Sequence, residues 1–347
     1  MVKNVIKIDN LKIGEGHPPL IVPEIGINHD GRIDIAIKMV DAAKKSGAKI
    51  IKHQTHIPED EMSLEAKKVK PGNSNKNIFS IIKKCSLSEE DEYKLYKYVK
   101  SKKMAFISTP FSKKAVDRLI KFGVNAFKIG SGEFNNTPLL DYISKFRKPL
   151  ILSTGMNDLK KTKEIYKFLK KRSIKFAFLH TTSLYPTPDH LVRLNSLNEM
   201  RKEFSNLILG YSDHTLCINA CTTAISMGAL IIEKHFTDTK RRSGPDIICS
   251  MDPKELKELL IKSEKTYNQL KGSKNNLRQE EVTRKFAFVS VVSDKEIKKG
   301  EKFSKQNLWV RRPGTGYFKQ EDLKFLYKKK SSKRIAANIQ IKKSHIA

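Results

Sequence analysis

The chain has 347 residues, of which 39% are hydrophobic and 30% charged, which is typical of a globular protein with a sizeable core and excludes a disordered chain. No apolar run approaches the ~18 residues of a membrane span, and the first residues, MVKNVIKIDN, lack the apolar segment of a secretory signal. The four cysteines include no CxxC pair. We therefore expect a reduced, cytoplasmic protein.

The formal net charge is +31, which by itself is compatible with a nucleic-acid or anionic-membrane partner. The lysines are nevertheless spread along predicted helices, and no basic patch is interleaved with aromatic residues. We expect no nucleic-acid partner and no membrane partner. The positive field should instead favour the approach of anionic substrates.

Between residue 20 and about residue 272, short apolar runs alternate with amphipathic helical stretches, and there are eight of each. The strands are predicted at Leu20–Ile25, Ala48–His53, Ala105–Ser108, Ala126–Ile129, Leu150–Ser153, Phe176–His180, Leu207–Tyr211 and Ala229–Glu233. The helices are predicted at Asp34–Ser46, Ser88–Lys102, Ser112–Phe122, Pro138–Phe146, Asp158–Lys171, Arg193–Phe204, Cys217–Met227 and Pro253–Lys271. Eight βα units in about 250 residues predict an α/β fold, a (β/α)8 TIM barrel. The alternative is an open doubly wound sheet, but its Gly-rich nucleotide turn is not visible.

The barrel domain is predicted to span residues 1–272, followed by a polar linker at 273–285. Residues 286–347 are lysine-rich and contain short β-like runs at Phe286–Val292, Leu308–Val310 and Ile335–Ile339, so they predict a separate small β-rich domain. Within the barrel, the segment after the second strand, about Thr55–Leu87, is long and includes the polar stretch Pro71–Asn75. Such loops usually cover the active face of a barrel, and the alternative is a mobile insertion.

Two histidines follow the last two predicted strands. His214 lies in Ser-Asp-His and His235 in Glu-Lys-His, 21 residues further along the chain. Because the carboxyl ends of neighbouring parallel strands lie side by side, the two imidazoles can meet, which suits a divalent transition metal. The alternative is two separately satisfied histidines, since two ligands do not complete a site.

The carboxyl ends of the other predicted strands are also rich in chemically capable side chains. They are Glu24, Lys52, Gln54, Thr109, Lys128, Ser131, Glu133, Ser153, His180, Ser183, Tyr185, Ser212 and Glu233, with Asp246 in a following loop. Lysines and hydroxyls suit a phosphate, whereas carboxylates can orient a polyol or move protons. These residues predict a metal-assisted enzyme that acts on one phosphorylated and one hydroxylated substrate.

Nine motifs, in this order, resemble those of the sialic acid synthase family. They are EIGINHDG, IIKHQTHIPEDEMS, ISTPFS, FKIGSGEFNNTPLL, KPLILSTGM, HTTSLYPTP, GYSDHT, EKHFT and SGPDIICSM. The tail, FAFVSVVSDKEIKKGE followed by WVRRPGTG, resembles the antifreeze-like (SAF) domain of such enzymes. Within the family, KHQTHIPEDEMS points toward the bacterial N-acetylneuraminate synthases. The resemblance covers nearly the whole chain.

The resemblance implies condensation of phosphoenolpyruvate with open-chain N-acetylmannosamine and water, with release of phosphate. A synthase of the legionaminate or pseudaminate type, which uses a diacetamido hexose, is the alternative. By the same resemblance, His214 and His235 hold a divalent metal, with Mn²⁺ expected and Mg²⁺ or Co²⁺ as alternatives. The implied catalytic residues are Glu133, Glu24 and Lys52. The implied phosphoenolpyruvate contacts are Lys52, Thr109, Lys128, Ser131, Ser153, Ser183 and Ser212, and the sugar contacts are Glu24, Gln54, Tyr185, Asp246 and Arg312.

The resemblance also implies a domain-swapped homodimer, in which Arg312 of the small domain reaches the sugar in the other subunit's barrel. Phe286 and Phe288 then pack that domain over the partner. Taken alone, Arg312 reads as a surface arginine. One departure concerns Ser183, because many bacterial relatives have Asn at the matching position.

Two rival functions remain open at this point. One is a Schiff-base aldolase on the same scaffold, with Lys128 or Lys52 as the nucleophile. The other is a non-enzymatic protein that binds carbohydrate or ice, as the terminal domain alone suggests.

Overall fold

The computed structural model describes residues 4–71 and 75–347. The chain forms two compact units, Met1–Lys271 and Gly272–Ala347. The first ends one residue before the end of the predicted barrel domain. Residues 1–3, at the N-terminus that was predicted to lack a secretory signal, lie outside the described residues. Residues 72–74 of the predicted polar stretch also lie outside them.

The first unit is a closed barrel of eight parallel strands, as the alternation of apolar runs and helices predicted. It is preceded by an antiparallel hairpin of β1 (Val5–Ile8) and β2 (Leu11–Gly14). The barrel strands are β3 (Leu20–Gly26), β4 (Ile50–Thr55), β5 (Ala105–Pro110), β6 (Phe127–Ile129), β7 (Leu150–Ser153), β8 (Phe176–Thr181), β9 (Ile208–Asp213) and β10 (Ile231–His235). Each strand pairs with the next along the chain, and β10 pairs with β3 to close the barrel. The open doubly wound sheet is therefore excluded.

Helices connect the successive strands. They are α1 (Ile33–Ser46), α2 (Pro58–Glu61), α3 (Ile78–Cys85), α4 (Glu89–Ser101), α5 (Lys113–Phe122), α6 (Thr137–Ser144), α7 (Leu159–Lys171), α8 (Ser196–Glu203), α9 (Asn219–Ser226) and α10 (Pro253–Gln269). Several begin at side-chain caps, which satisfy the free N–H groups of the first turn. Ser88 caps α4, Asp158 caps α7, and Asp252 forms a capping box with Glu255 at the start of α10.

The N-terminal hairpin covers the end of the barrel where the strands begin. Ile6, Ile8 and Ile13 are fully buried and pack with the first residues of the strands, including Leu20 and Ile50. The sequence analysis did not predict this hairpin. It closes the floor of the barrel, so the opposite end is left for chemistry.

The long segment after β4 contains two helices that the sequence analysis did not predict. Helix α2 begins three residues after β4 ends, and α3 buries Ile82 and Cys85 against Ile27 beyond β3. This segment therefore has regular structure on both sides of the undescribed residues 72–74. The part before them carries side chains toward the end of β4.

The second unit has its own core of apolar side chains, including Val291, Phe303 and Ile341. Its regular elements are α11 (Glu281–Ala287), β11 (Ser290–Ser293), β12 (Leu308–Arg311) and α12 (Leu323–Leu326), and β11 pairs with β12 in antiparallel orientation. The helix α11 begins inside the predicted linker, 273–285.

Two of the predicted β-like runs in this unit are wrong in part. The run Phe286–Val292 begins in the helix, and only Ser290–Val292 is strand. The run Ile335–Ile339 forms no strand; Ile335 makes an isolated bridge with Ile297. In both places a local apolar pattern of fewer than eight residues did not distinguish strand from helix or turn.

None of the described helices is long and apolar enough to cross a membrane. All four cysteines are unpaired thiols.

Candidate active site

The register of the barrel strands brings the predicted side chains to one edge. Glu24 lies opposite Lys52 on β4 and opposite His235 on β10, and Gln54 lies opposite Thr109 on β5. These residues are among the last ones of their strands, so their side chains meet at the carboxyl end of the barrel. The predicted strand ends were two residues short at β4, β5, β9 and β10, but the functional residues were assigned to the correct ends.

A cavity of about 330 Å³ opens at this end of the barrel. It is lined by every predicted site residue except Asp246 and Arg312. The lining residues are Glu24, Lys52, Gln54, Thr109, Phe111, Lys128, Gly130, Ser131, Gly132, Glu133, Ser153, Met156, Thr181, Ser183, Tyr185, Ser212, His214, Glu233 and His235. Residues distant in sequence thus form one chamber, as the strand ends predicted. His180 does not line it; its imidazole is buried and bonded to the carbonyl of Val192.

Two buried lysines form the cationic side of the cavity. Lys128 donates from Nζ to Ser153 Oγ and to the carbonyl of Ile129, each at 2.7 Å. Burial, with the neighbouring positive charge of Lys52, lowers the pKa of Lys128 to about 8, against the opposing attraction of Glu233. Burial would also lower the pKa of Lys52, but Glu233 and Glu24 outweigh it and raise that pKa above its ordinary value. Lys52 is therefore a fixed cation.

Glu233 lies between the two lysines; it was named among the strand-end residues but was given no catalytic, binding or metal role. Its Oε1 is 3.6 Å from each Nζ and accepts a hydrogen bond from Ser212 Oγ at 3.1 Å. Its other oxygen has no hydrogen-bond partner among the described residues. The sequence signal was available, since Glu233 directly precedes the Lys-His of the second histidine cluster. It balances part of the lysines' charge.

Other polar atoms at the cavity are also buried without partners. Within residues 4–71 and 75–347 these include Thr109 Oγ1, Glu133 Oε2, Ser183 Oγ and His235 Nδ1. Burying a polar group without a hydrogen bond costs about 1–3 kcal/mol, so such atoms normally await a ligand or water. Burial raises the pKa of Glu133, which favours its protonated form. A bound polar molecule can satisfy all of these atoms.

Gly155 lets three hydroxyl-bearing loops approach one another. Its N–H donates to Ser131 Oγ at 3.1 Å. A Cβ at this position would lie 2.3 Å from Ser183 Oγ and 2.6 Å from Ser131 Oγ, which is closer than real contacts allow. The glycine in LSTGM is therefore required by close packing of the serines. Ser183, where many bacterial relatives were expected to have Asn, contributes its hydroxyl to this cluster.

On the opposite side, Glu24 is held by two donors from β4. Gln54 Nε2 donates to Glu24 Oε1 at 2.7 Å, and Lys52 forms a buried ion pair with the same oxygen. Burial would raise the pKa of Glu24, but Lys52, His235 and these hydrogen bonds outweigh it and hold the pKa well below its ordinary value. Glu24 is therefore an ionised carboxylate, suited to accept hydrogen bonds from hydroxyl groups.

The two histidines come together as predicted. The ring centroids of His214 and His235 are 5.6 Å apart, and the ring of Tyr185 lies 4.0 Å from that of His214. His214 Nδ1 lies 2.9 Å from the carbonyl of Thr182, which can only accept, so the lone pair is on Nε2. Burial and the neighbouring His235 lower the pKa of His214 to about 3, which keeps the ring neutral.

These donors fit a divalent metal as a partial ligand set. Neutral imidazoles are common metal ligands, and Nδ1 of His235 is buried without a partner. Carboxylate oxygens lie next to the ring: Glu24 Oε2 is 3.8 Å from Nε2, and Asp246 Oδ2 is 3.8 Å from Nδ1. No group of three His, Cys, Asp or Glu side chains among the described residues is arranged to hold a metal by itself. An ion here would need further ligands from substrate or water.

Asp246 and Arg312 are the two predicted residues outside the cavity lining. Asp246 stays close, at the edge beside His235, and burial raises the pKa of its carboxyl above the ordinary value. Arg312 belongs to the second unit, where its side chain is exposed. The structure therefore brings Asp246 to the site, whereas the role of Arg312 stays a prediction.

A model of the NeuB family matches residues 39–276, which include most of the barrel and most of the cavity lining. The chain belongs to the NeuB family. These are nonulosonate (sialic acid) synthases, which use phosphoenolpyruvate and an amino sugar. The resemblance seen in the sequence is thereby confirmed for the barrel. The match ends before most of the second unit, so the antifreeze-like assignment of that unit stays a prediction.

Individual relatives show the same kinship. The chain is 37% identical to an N,N'-diacetyllegionaminic acid synthase of Campylobacter jejuni, over 86% of this chain and 91% of that protein. It is 32% identical to the human N-acetylneuraminate-9-phosphate synthase, over 72% and 70% of the two chains. The crystal structure of an N-acetylneuraminic acid synthetase from Leptospira borgpetersenii, at 28% identity, superposes with a TM-score of 0.75 over 81% of this chain and 95% of that one.

Proposed function

We propose that this NeuB-family chain condenses phosphoenolpyruvate with an open-chain 2,4-diacetamido hexose to give a nonulosonic acid of the legionaminate type. The observation that carries the reaction is the composition of a single cavity. Its cationic side has buried lysines and unpartnered hydroxyls, and its other side has an ionised carboxylate beside two imidazoles. One side suits a phosphorylated acid, and the other suits a polyhydroxylated aldehyde.

Phosphoenolpyruvate would lie on the cationic side. Lys52 and Lys128 supply charge, and the remaining contacts are hydroxyls whose positions the structure gives: Thr109, Ser131, Ser153, Ser183 and Ser212. The unpartnered Oγ atoms of Thr109 and Ser183 can donate to phosphate or carboxylate oxygens. Because the site is buried, these charge-assisted hydrogen bonds are stronger than they would be in water.

The sugar would lie on the other side, with its hydroxyls bonded to Glu24, Gln54, Tyr185 and Asp246. A divalent metal, with Mn²⁺ expected, would supply Lewis acidity at the sugar aldehyde when held by His214 and His235. Carbon 3 of phosphoenolpyruvate then forms a bond to the aldehyde carbon. Water adds at carbon 2, and the resulting tetrahedral species loses phosphate.

Glu133 is the residue that we assign to carbon 2. Its carboxyl is buried with one oxygen unpartnered at the cavity, beside the loop that bears Ser131. Its raised pKa makes it a better base once ionised than an ordinary glutamate. It can take a proton from the attacking water and stabilise positive charge that develops at carbon 2. Lys52 and Glu24 complete the proposed catalytic set, because their ion pair joins the two halves of the cavity.

The comparisons support the diacetamido substrate more than N-acetylmannosamine. Identity is 37% to each of two diacetyllegionaminic acid synthases, from Campylobacter jejuni and Legionella pneumophila, and 32% to the human neuraminate-9-phosphate synthase. The motif KHQTHIPEDEMS, residues 52–63, instead resembles that of the N-acetylneuraminate synthases, which points toward N-acetylmannosamine. That motif keeps N-acetylmannosamine as the second candidate.

The test is a direct assay of the purified protein. After treatment with a chelator, phosphoenolpyruvate is added with either sugar, with and without Mn²⁺, and phosphate release and product mass are followed. We expect Mn²⁺-dependent release with the diacetamido hexose and less with N-acetylmannosamine. The reverse preference would establish the second candidate, and release without metal would contradict the assignment of the two histidines.

Lys128 keeps one further reaction class open. Its lowered pKa, about 8, is a property of lysines that form Schiff bases. Reduction with borohydride in the presence of a keto acid would trap such an adduct. We expect no covalent adduct, because Lys128 is already engaged by Ser153 and a carbonyl oxygen.

A further inference from the structure

A chain of hydrogen bonds leads from the segment after β4 into the cavity. Glu61, on helix α2, lies within 3.0–3.1 Å of His56 Nδ1 through both carboxylate oxygens. His56 Nε2 is 3.1 Å from Gln54 Oε1, and Gln54 Nε2 is 2.7 Å from Glu24 Oε1. His56 and Glu61 have no part in the proposed catalytic or binding sets. We call these four residues the Glu61–Glu24 relay.

The two ends of the relay determine the hydrogens between them. Glu24 Oε1 forms a buried ion pair with Lys52, so it accepts, and the amide nitrogen of Gln54 must face it. The amide oxygen of Gln54 is thereby turned toward His56, which has to donate through Nε2. At the other end, the carboxylate of Glu61 faces Nδ1. Because both partners of the ring can accept, we expect the ring to donate from both nitrogens.

The surroundings of His56 suit this state. The imidazole is buried and stacks on Phe111, with the ring centroids 4.1 Å apart and the planes at 12°. The carboxyls of Glu133 and Asp246, which lie on loops after other strands, are close enough to interact with His56, and burial raises the pKa of each. His29 also interacts with His56, and burial lowers the pKa of His29 to about 3, so it stays neutral.

The relay has a consequence for the cavity. Gln54 lines the cavity, and without a fixed neighbour its amide could rotate by half a turn. A rotated amide would place its oxygen against the carboxylate of Glu24, and two acceptors would face each other. Glu24 would then lose its hydrogen bond from Gln54, and the sugar side would present a different pattern of donors and acceptors.

We propose that His56 and Glu61 are positioning residues that fix the amide of Gln54, so that the sugar side of the cavity presents an N–H group beside the carboxyl group of Glu24. This inference rests on the proposed function for its kinetic part, since it assigns the relay to recognition of the sugar. The protonation of His56 can be tested without any turnover.

The first measurement is nitrogen NMR of the histidine side chains in the intact protein, with His56 assigned by comparison with the His56→Phe variant. We expect both ring nitrogens of His56 to be protonated at the pH used for the activity assay. In Glu61→Gln the signal should change to that of a ring with one protonated nitrogen. A ring without a proton on Nε2 in the unaltered protein would overturn the proposal, whether or not the protein turns over either sugar.

The second measurement is steady-state kinetics. Glu61→Gln should raise the KM for the sugar about tenfold, the effect of losing one charge-assisted hydrogen bond, while the KM for phosphoenolpyruvate stays the same. His56→Phe should do likewise, because it keeps the stacking on Phe111 but cannot donate. The matched control is Glu59→Gln on the same helix, where the carboxylate is exposed and pairs with Lys83. It should leave both constants unchanged.

Three outcomes are informative about the relay. Equal rises in both KM values would indicate general loss of the site and contradict a role toward the sugar. Unchanged sugar KM in Glu61→Gln and His56→Phe would also overturn it. If neither sugar is turned over by the unaltered protein, the proposed function fails, yet the NMR result still decides the protonation of His56.

Discussion

Five side-chain atoms at the cavity are buried without a partner in the described part of the chain: Thr109 Oγ1, Glu133 Oε2, Ser183 Oγ, Glu233 Oε2 and His235 Nδ1. They come from four strand ends, those of β5, β6, β8 and β10, so no local sequence pattern brings them together. Each costs free energy in the absence of a ligand. Their convergence indicates that the cavity is organised around bound polar molecules rather than around its own stability.

Glu133 allows the stability cost of such a buried group to be measured beside its effect on activity. Its folded-state pKa is raised, so its contribution to stability is present below the unfolded pKa and is lost as the pH rises through the folded pKa. Glu133→Gln cannot ionise and avoids that loss. We expect the variant to unfold at a higher temperature than the unaltered protein at neutral pH, with the difference vanishing near pH 4, and to lose at least about a hundredfold in kcat. Thermal unfolding and phosphate release measure the two effects, and an unchanged kcat would remove Glu133 from the mechanism.

Gly155 gives a second prediction at this scale. Gly155→Ala places a methyl group against the hydroxyls of Ser131 and Ser183, which must separate. We expect the KM for phosphoenolpyruvate to rise by about tenfold or more, the effect of losing at least one hydrogen bond to a charged group. Gly132→Ala is the matched control, because an added Cβ there meets no atom within 4 Å. Equal effects of the two substitutions would argue against a shared anion site at the serines.

Among whole elements, the strands were predictable because each is a short apolar run between amphipathic helices. The errors have physical causes. Strands β9 and β10 run on through Ser212-Asp213 and Lys234-His235 because Asp213 and Lys234 are buried and bond to each other rather than to water. The hairpin β1–β2 was not predicted because its strands have only four residues each. Their apolar side chains are buried only when they pack against the first residues of the barrel strands.

The site residues also divide into those that the sequence could predict and those that it could not. Residues that end a strand with a polar side chain could be named from the sequence, because the topology alone brings strand ends together. His56 and Glu61 could not, since their roles depend on how a helix within the segment after β4 folds back toward Gln54. Glu233 was visible as a residue, but its position between two lysines depends on the register of β10 against β9.

A buried ion pair joins the two strands that carry the histidines. Lys234 of β10 donates to Asp213 Oδ2 at 2.7 Å and to the carbonyl of Thr215 at 2.6 Å, and it thereby fixes the loop that holds His214. The pair lies on the opposite face of the strands from Glu233 and His235, because side chains alternate along a strand. It supports the candidate metal ligands without lining the cavity.

Asp213→Asn should therefore cost about 3–5 kcal/mol in the free energy of unfolding, because it leaves Lys234 buried without its counter-charge. Burial opposes ionisation of Asp213, but Lys234 and the hydrogen bonds outweigh it and lower the pKa. Its contribution is therefore present above the unfolded pKa, near 3.8, and is lost as the pH falls through the folded pKa. Urea unfolding at pH 7 should show the full cost. A cost below about 1 kcal/mol would mean that the pair is replaceable.

For the whole molecule, the relevant feature of the second unit is Arg312. Arg312 is exposed and has no hydrogen bond or ion pair within the described residues, in contrast to its neighbour Arg311, which pairs with Asp294. A free guanidinium on a unit that the family model leaves largely unmatched is consistent with a role in another subunit. We propose, as the resemblance implied, that Arg312 acts on the sugar in the barrel of a partner subunit.

Mixing two impaired variants tests this arrangement. Arg312→Ala should raise the KM for the sugar more than that for phosphoenolpyruvate, and His235→Ala should abolish turnover in its own barrel. In a domain-swapped dimer, a mixed pair has one barrel with an intact His235 that receives an intact Arg312. Random exchange makes half of the dimers mixed, each with one complete site of two, so about a quarter of the normal activity should return at low sugar concentration. If Arg312 serves its own barrel, the mixture regains nothing beyond the sum of the two variants, because no barrel then has both residues.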